Sequence, residues 1–191
     1  MSTTVRERYE VGDLDPSAVL ELARDNEREL REREFLKLQL AAHWADLHPA
    51  THDTGVETPG GAALLADESL GGDGTPAVAA FAPEPFALAL GMSPSAGVQL
   101  IADALDLRHR LPMLWKRVGR LEVPAWQARR VARQTHRLPK TAAIWVDEHL
   151  ADRGTCGPVI VDRLVAQAVA TYDPEEHEDM ENEANAGWDA R

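Results

Sequence analysis

One cysteine, Cys156, is all the chain has, so an internal disulfide is excluded and so is a zinc site built on several thiolates. Phe and Tyr are scarce, three and two residues among 191. No apolar run approaches the roughly 20 residues that a membrane helix needs. The start, "MSTTVRERYEVGD", lacks the apolar stretch of a signal peptide. G-x-S-x-G, P-loop and HExxH patterns are all missing, and no Cys–His pairing offers an activated nucleophile. These absences point to a soluble cytoplasmic protein with no evident catalytic motif and no cofactor. What remains is 44% apolar and rich in Ala and Leu. Few β-branched runs and no sustained alternation leave helix as the expected structure throughout.

The expected fold is all-α. A polar leader and one long helix occupy residues 1–48, starting at the N-cap Asp15 with Pro16 in the first turn. Val19, Leu22 and Ala23 make its start apolar, and Leu36, Leu40, Ala41, Trp44 and Leu47 its end. Between them Arg24 to Glu34 is nearly all charged, with Glu27–Arg31 and Glu29–Arg33 in the favourable i, i+4 order. A homodimer through this helix is one expectation, although the heptad positions fail across the charged waist. Residues 49–76, rich in Gly, Pro, Thr and Asp, read as a flexible linker. A compact domain of short helices follows over 77–172, at about 84–90, 94–108, 112–118, 124–136, 139–152 and 158–171. Proline opens most of them, and Gly91, Gly119 and Gly154 stand near their ends. An acidic helix or tail completes the chain over 173–191.

Charge is segregated. Leu107 to Lys140 holds ten Lys and Arg against Glu122 alone, net +9, in a chain of net −12. Such a stretch needs either a partner or an internal counter-charge. Winding at about 100° per residue places Arg129, Arg133, Trp126, Arg137 and Arg130 within an arc of about 100°. Ala125, Ala128, Val131, Ala132 and Thr135 fall on the opposite side as a packing stripe. Arginine with an exposed indole suits phosphate contact plus base stacking. Arg108, Arg110, Lys116, Arg117 and Arg120 would extend the patch. Alternatively Trp126 folds over the arginine stems. The basic face would then pair with acidic segments, the waist of the long helix or "YDPEEHEDMENE" (Tyr172 to Glu183), and no nucleic acid would be involved.

Three lesser motifs complete the reading. "FALALGMSPSAGVQLIADAL" has the glycine turn of a helix-turn-helix, with Ala87 four residues before Gly91. Its second helix, however, should expose Gln99, Asp103 and Asp106, which would repel phosphate. An ordinary helical corner is therefore expected. His43, His48, His52, Asp46 and Asp53 are metal-ligand types without metal-ligand spacing, so Trp44 and Leu47 are expected to dock the helix end instead. Cys156 reads as a small loop residue.

Taken together, "LREREFLKLQLAAHWADLHP", "LGMSPSAGVQLIADALDLRHRLPMLWKRVGRLEVPAWQARRVARQT" and "VDRLVAQAVATYDPEE" resemble the N-terminal domain of unknown function in actinobacterial HNH endonuclease-like proteins. The thirteen-E-twelve repeat proteins belong to that group. Ala104 to Ala132 carries the most specific part of the likeness. The resemblance implies an all-helical domain, usually followed by a nuclease module with a His-Asn-His ββα-metal motif and often Cys-x-x-Cys zinc pairs. None of those catalytic residues has a counterpart here. The expectation is a non-catalytic module, a fragment or short form of such a protein, that binds or positions DNA. Neither a membrane nor a small-molecule substrate is indicated.

Overall fold

The carboxylate of Asp15 accepts the N–H of Ala18 at 2.9 Å and starts the longest element of the fold. The computed structural model describes residues 11–50, 69–153 and 157–172. Among these residues a short 3₁₀ turn at Val11–Asp13 is followed by seven α-helices: α1 Pro16–Leu47, α2 Pro83–Ala89, α3 Pro94–His109, α4 Pro112–Gly119, α5 Ala125–Thr135, α6 Lys140–Arg153 and α7 Pro158–Tyr172. There is no strand among the described residues, only an isolated antiparallel bridge between Pro49 and Val78. The fold is all-α, as the Ala/Leu-rich composition dictates. The expected elements at residues 84–90 to 158–171 all form within a residue or two of their anticipated ends. The expected acidic helix beyond Tyr172 lies outside the described residues.

Helix α3 is the centre, and the other elements are arranged on it. It packs against α1, α2, α4 and α5. Every residue from Leu100 to Leu107 is buried, including two aspartates. An apolar face this wide requires neighbours on several sides, because burying each Leu or Ile side chain is worth about 1.5–3 kcal/mol. Ser93 caps its start by accepting from the N–H of Ala96 at 3.3 Å. Before it, Gly91 takes a left-handed φ of 66°, and α2 meets α3 at 105°. The corner closes on Ala87 and Gly97. A Cβ placed on Gly97 would lie 2.5 Å from that of Ala87. The helix-turn-helix-like corner is thus present as geometry, but its second helix is the core of the fold and turns no reading face outward.

Helix α1 joins the same core through Leu38, Ala41, Ala42 and Ala45. Trp44 docks beside them, stacked on Phe86 and donating its indole N–H to the carbonyl of Ala82 at 2.7 Å. Leu47, expected to dock with it, is instead exposed, as are Leu36 and Leu40. The two expected i, i+4 pairs of the waist form, Glu27–Arg31 at 2.9 Å and Glu29–Arg33 at 3.3 Å. Most of the anticipated linker is outside the described residues. Its last part, residues 69–76, is packed: Gly71 and Gly72 are buried, and the N–H of Gly72 reaches Asp106 at 2.8 Å.

The remaining helices form a second layer, α4 against α6 and α6 against α7, with α5 bridging α3 and α7. Helix α4 has no side-chain cap of its own. Asp147, buried on α6, supplies one by accepting the N–H groups of Met113 at 2.7 Å and Leu114 at 2.9 Å. This satisfies donors that every helix start leaves open. Burial nevertheless pushes the Asp147 carboxyl above its ordinary range, against the pull of those two N–H groups.

Candidate nucleic-acid interface

Helix α5 is short, amphipathic and steeply divided. Ala125, Ala128, Val131, Ala132 and Thr135 are all buried, the same five residues that the helical phase assigned to packing. Pro124 takes an extended backbone just before the helix, and no side chain on the inner face, which packs against α3, is larger than valine's. The opposite face carries Trp126, Arg129, Arg130 and Arg133, whereas Arg137, expected on the same face, lies in the turn beyond the helix, which ends at Thr135. Trp126 is 57% exposed, and no aromatic or cation–π pairing involves it among the described residues. The alternative in which its ring folds over the arginine stems is not what the structure contains.

The arginines have partners that the sequence analysis did not anticipate. Asp103 of α3, expected on a solvent face, is buried. It accepts Arg129 at 2.7 Å and Arg133 at 3.1 Å, and the side-chain amide of Gln99 at 2.8 Å. Arg130 reaches Asp162 of α7 at 3.3 Å. Arg137 is exposed and makes no ion pair among the described residues.

The first half of the basic stretch behaves differently. Arg110, expected to extend the basic patch, is instead fully buried and offers no surface contact. Its guanidinium binds Asp106 at 3.0 Å, the carbonyl of His136 at 3.1 Å and that of Thr135 at 2.8 Å, and also the carbonyl of Leu138. Asp106, the second aspartate expected in solvent, is buried as its partner and also meets His136 Nδ1 at 2.8 Å. This network ties the end of α3 to the turn after α5. Arg108 makes a bidentate pair with Asp46 of α1. That hydrogen bond holds the Asp46 carboxyl below its usual value and raises the Arg108 guanidinium further.

Lys116, Arg117 and Arg120 gather with Met113, Glu122 and Ala151 around an open depression of about 520 Å³ between α4 and α6. Lys116 and Arg120 are exposed; Arg117 is mostly covered, donating to the carbonyl of Leu150 at 3.2 Å. The ten candidate residues therefore form no single patch. Arg129, Arg130 and Arg133 lean on α3 and α7, Lys116, Arg117 and Arg120 stand beside α6, Arg108 is held to α1, and Arg110 is interior.

Asp46, Asp103, Asp106 and Asp162, all outside the basic stretch, each take at least one of its arginines. One sequence signal for two of them existed. In "IADALDL" the aspartates interrupt an otherwise apolar run, and a carboxylate surrounded on its helix by core positions is buried only when paired.

The histidine-rich end of α1 gathers no metal-binding group among the described residues. His43 stands 3.9 Å from Asp46, and His48 bonds the carbonyl of Trp44 at 2.9 Å. His52, Asp53, Cys156 and the acidic segment beyond Tyr172 lie outside the described residues. No single helix among the described residues is long and apolar enough to cross a membrane. In comparisons with family models, curated proteins and solved structures, the chain matches none.

Proposed function

We propose that this chain is a non-catalytic helical module that contacts nucleic acid through the outer face of α5 and the turn that follows it, with Trp126, Arg130 and Arg133 on the helix and Arg137 on the turn as the contacting residues. The observation that carries this reading is Trp126, a large indole left 57% exposed in line with arginines whose helix is fully packed behind. A base or a groove wall supplies the flat apolar surface such a ring lacks, and the arginine forks meet the flanking phosphates. Lys116 and Arg120 would add sequence-independent attraction from the neighbouring depression. The likeness to HNH-associated domains would make this a DNA-holding front module, with cleavage chemistry belonging to another module and DNA as the partner.

The test is fluorescence anisotropy with labelled duplex and single-stranded DNA across a salt series. Binding should weaken with salt at a slope of about −0.9 per duplex phosphate neutralised. Replacing Arg130, Arg133 and Arg137 together by Ala should flatten that slope. Absence of binding at low salt, or a slope unchanged in the triple variant, overturns the reading.

A second reading, a protein-interaction module whose basic face pairs with acidic segments, draws on Arg130–Asp162 and Arg133–Asp103, which already hold part of that face. It would lead to a salt-sensitive protein complex and no DNA binding at any ionic strength.

A further inference from the structure

Among the described residues, helix α1 has one occupied face and one exposed face. Arg31, Phe35, Leu38, Ala42 and Ala45 turn toward the body: Phe35 packs on Trp115 with ring centroids 5.0 Å apart, and Arg31 reaches the carbonyl of Leu121. Leu36, Leu40 and Leu47 stand on the far side, exposed by 52%, 49% and 60%. N-terminal to Arg31 no residue of α1 is buried among the described residues, and Val19, Leu20 and Leu30 are exposed. Residues 16–30 therefore form about four turns of helix that bury no residue against the rest of the described chain, although helices of about 12–15 residues are marginal alone in water.

The open face is in register with itself. Steps of three and four from Val19 to Leu47 follow the spacing of a two-helix seam, apolar at Val19, Leu22, Leu36, Leu40 and Leu47 and polar at Asn26, Glu29, Arg33 and His43. Glu29 and Arg33 sit at its centre. A parallel pair would set Glu29 against Glu29 and Arg33 against Arg33, which is repulsive. An antiparallel pair centred near Arg31 does the reverse. Glu29 of each copy then meets Arg33 of the other and Leu22 meets Leu40 in both directions, while Leu36 meets Asn26 and Val19 meets His43. The charged waist, which breaks a parallel heptad seam, is self-complementary under this two-fold.

We propose that two copies of this chain associate antiparallel along α1, with the Glu29–Arg33 pairs crossing at the two-fold axis. The interface is isologous and therefore closes as a dimer. Its apolar ends rest on the face opposite Leu38 and Ala45, so the body of each copy stays clear of the seam.

Sedimentation equilibrium of the full chain without DNA, over micromolar concentrations, should show a dimer. Glu29→Arg or Arg33→Glu alone should weaken association by about tenfold or more, since like charges set together are costly. The swapped double variant should restore it. Orientation is read separately in a Cys156→Ser background, by mixing Leu22→Cys and Leu40→Cys chains. Antiparallel pairing gives the mixed disulfide. Circular dichroism checks that each variant keeps its helices, and none of these side chains reaches the core. A monomer throughout the range, a dimer indifferent to Glu29→Arg, or disulfides between like chains only would each overturn the proposal. DNA binding is not a readout here, so the two readings fail independently.

Discussion

Asp103 of α3 accepts the Nε–H of Arg129 at 2.7 Å with 1% of its own side chain exposed, so a surface arginine is anchored by a buried carboxylate. The pairing fixes α5 on α3 and also withholds positive charge from solvent. Asp103→Asn should therefore act in opposite directions on two measurements. Chemical denaturation should show a loss of about 1–3 kcal/mol, the worth of hydrogen bonds to a charged group in a covered site. Under the proposed function DNA affinity should rise, because Arg129 becomes available beside Arg133, and the salt slope should steepen by up to about 0.9. Unchanged stability would mean that the pairing does not hold α5 in place.

Arg110 is a more demanding case. Its guanidinium is fully buried and serves Asp106 and three backbone carbonyls. Arg110→Met leaves the Asp106 carboxylate without its guanidinium partner and the carbonyls short of donors. Removing one partner of a buried pair costs about 3–5 kcal/mol. Gly72 belongs to the same unit, since a Cβ there would lie 1.9 Å from an Arg110 nitrogen. Gly72→Ala should also destabilise markedly. Urea midpoints of the two single variants and the double variant would show the coupling, with the double costing less than the singles combined.

Much of this architecture is legible in the sequence because its signals are local. Asp15, Pro16, Ser93 and Pro94 mark helix starts by their own chemistry, and the packing stripe of α5 follows from helical phase alone. The destination of the charges is not legible in that way. Asp103 and Asp106 look like a solvent face to a phase argument, because periodicity finds one apolar face and α3 is covered on several. Arg110 looks like its neighbour Arg108 until the turn after α5 arrives with three carbonyls. On α1 Leu38 and the short residues Ala41, Ala42 and Ala45 take the core, while Leu36, Leu40 and Leu47 stay outside. A close helix contact favours small side chains, which a ranking by hydrophobicity overlooks.

The α2–α3 corner gives a prediction about packing. Gly97 faces Ala87 so closely that any side chain must move one helix. Gly97→Val should cost about 1–3 kcal/mol by overpacking. A thermal melt of Gly97→Val beside Gly97→Ala would show whether the loss grows with side-chain size. Equal melting of both variants and the parent would mean that the corner is looser than its geometry.

Trp126 separates function from stability. Its indole is mostly solvent-exposed and makes no ring contact among the described residues, so Trp126→Ala should change folding stability by no more than about 0.5 kcal/mol. Under the proposed function the same change should weaken single-stranded DNA binding by about 1–3 kcal/mol, the worth of one base–aromatic stack. Quenching of Trp126 fluorescence by DNA, measured in a chain whose other tryptophans are replaced by Phe, reads the contact directly.

The dependence of stability on pH follows from three groups. Burial, aided by the adjacent Arg108 charge, lowers His109 below its ordinary 6.5, so the folded chain holds this imidazole neutral. The unfolded chain then binds the extra proton first. Stability from this source is complete above about 6.5 and is lost as pH falls toward the lowered folded value. Asp46, lowered from 3.8 mainly by the hydrogen bond from Arg108, contributes stability present above 3.8 and lost as pH falls through its folded value. That contribution is small, under about 1 kcal/mol, because both partners are partly exposed. Asp147 works the other way: its raised folded value means that acid relieves the burial of its charge. Urea midpoints between pH 7.5 and 5 should therefore fall for the parent and fall less for His109→Gln, while Asp46→Asn should differ from the parent mainly above pH 3.8, where the ionised pair is intact. A His109→Gln chain that loses stability over pH 7.5 to 5 as steeply as the parent would remove His109 from the account.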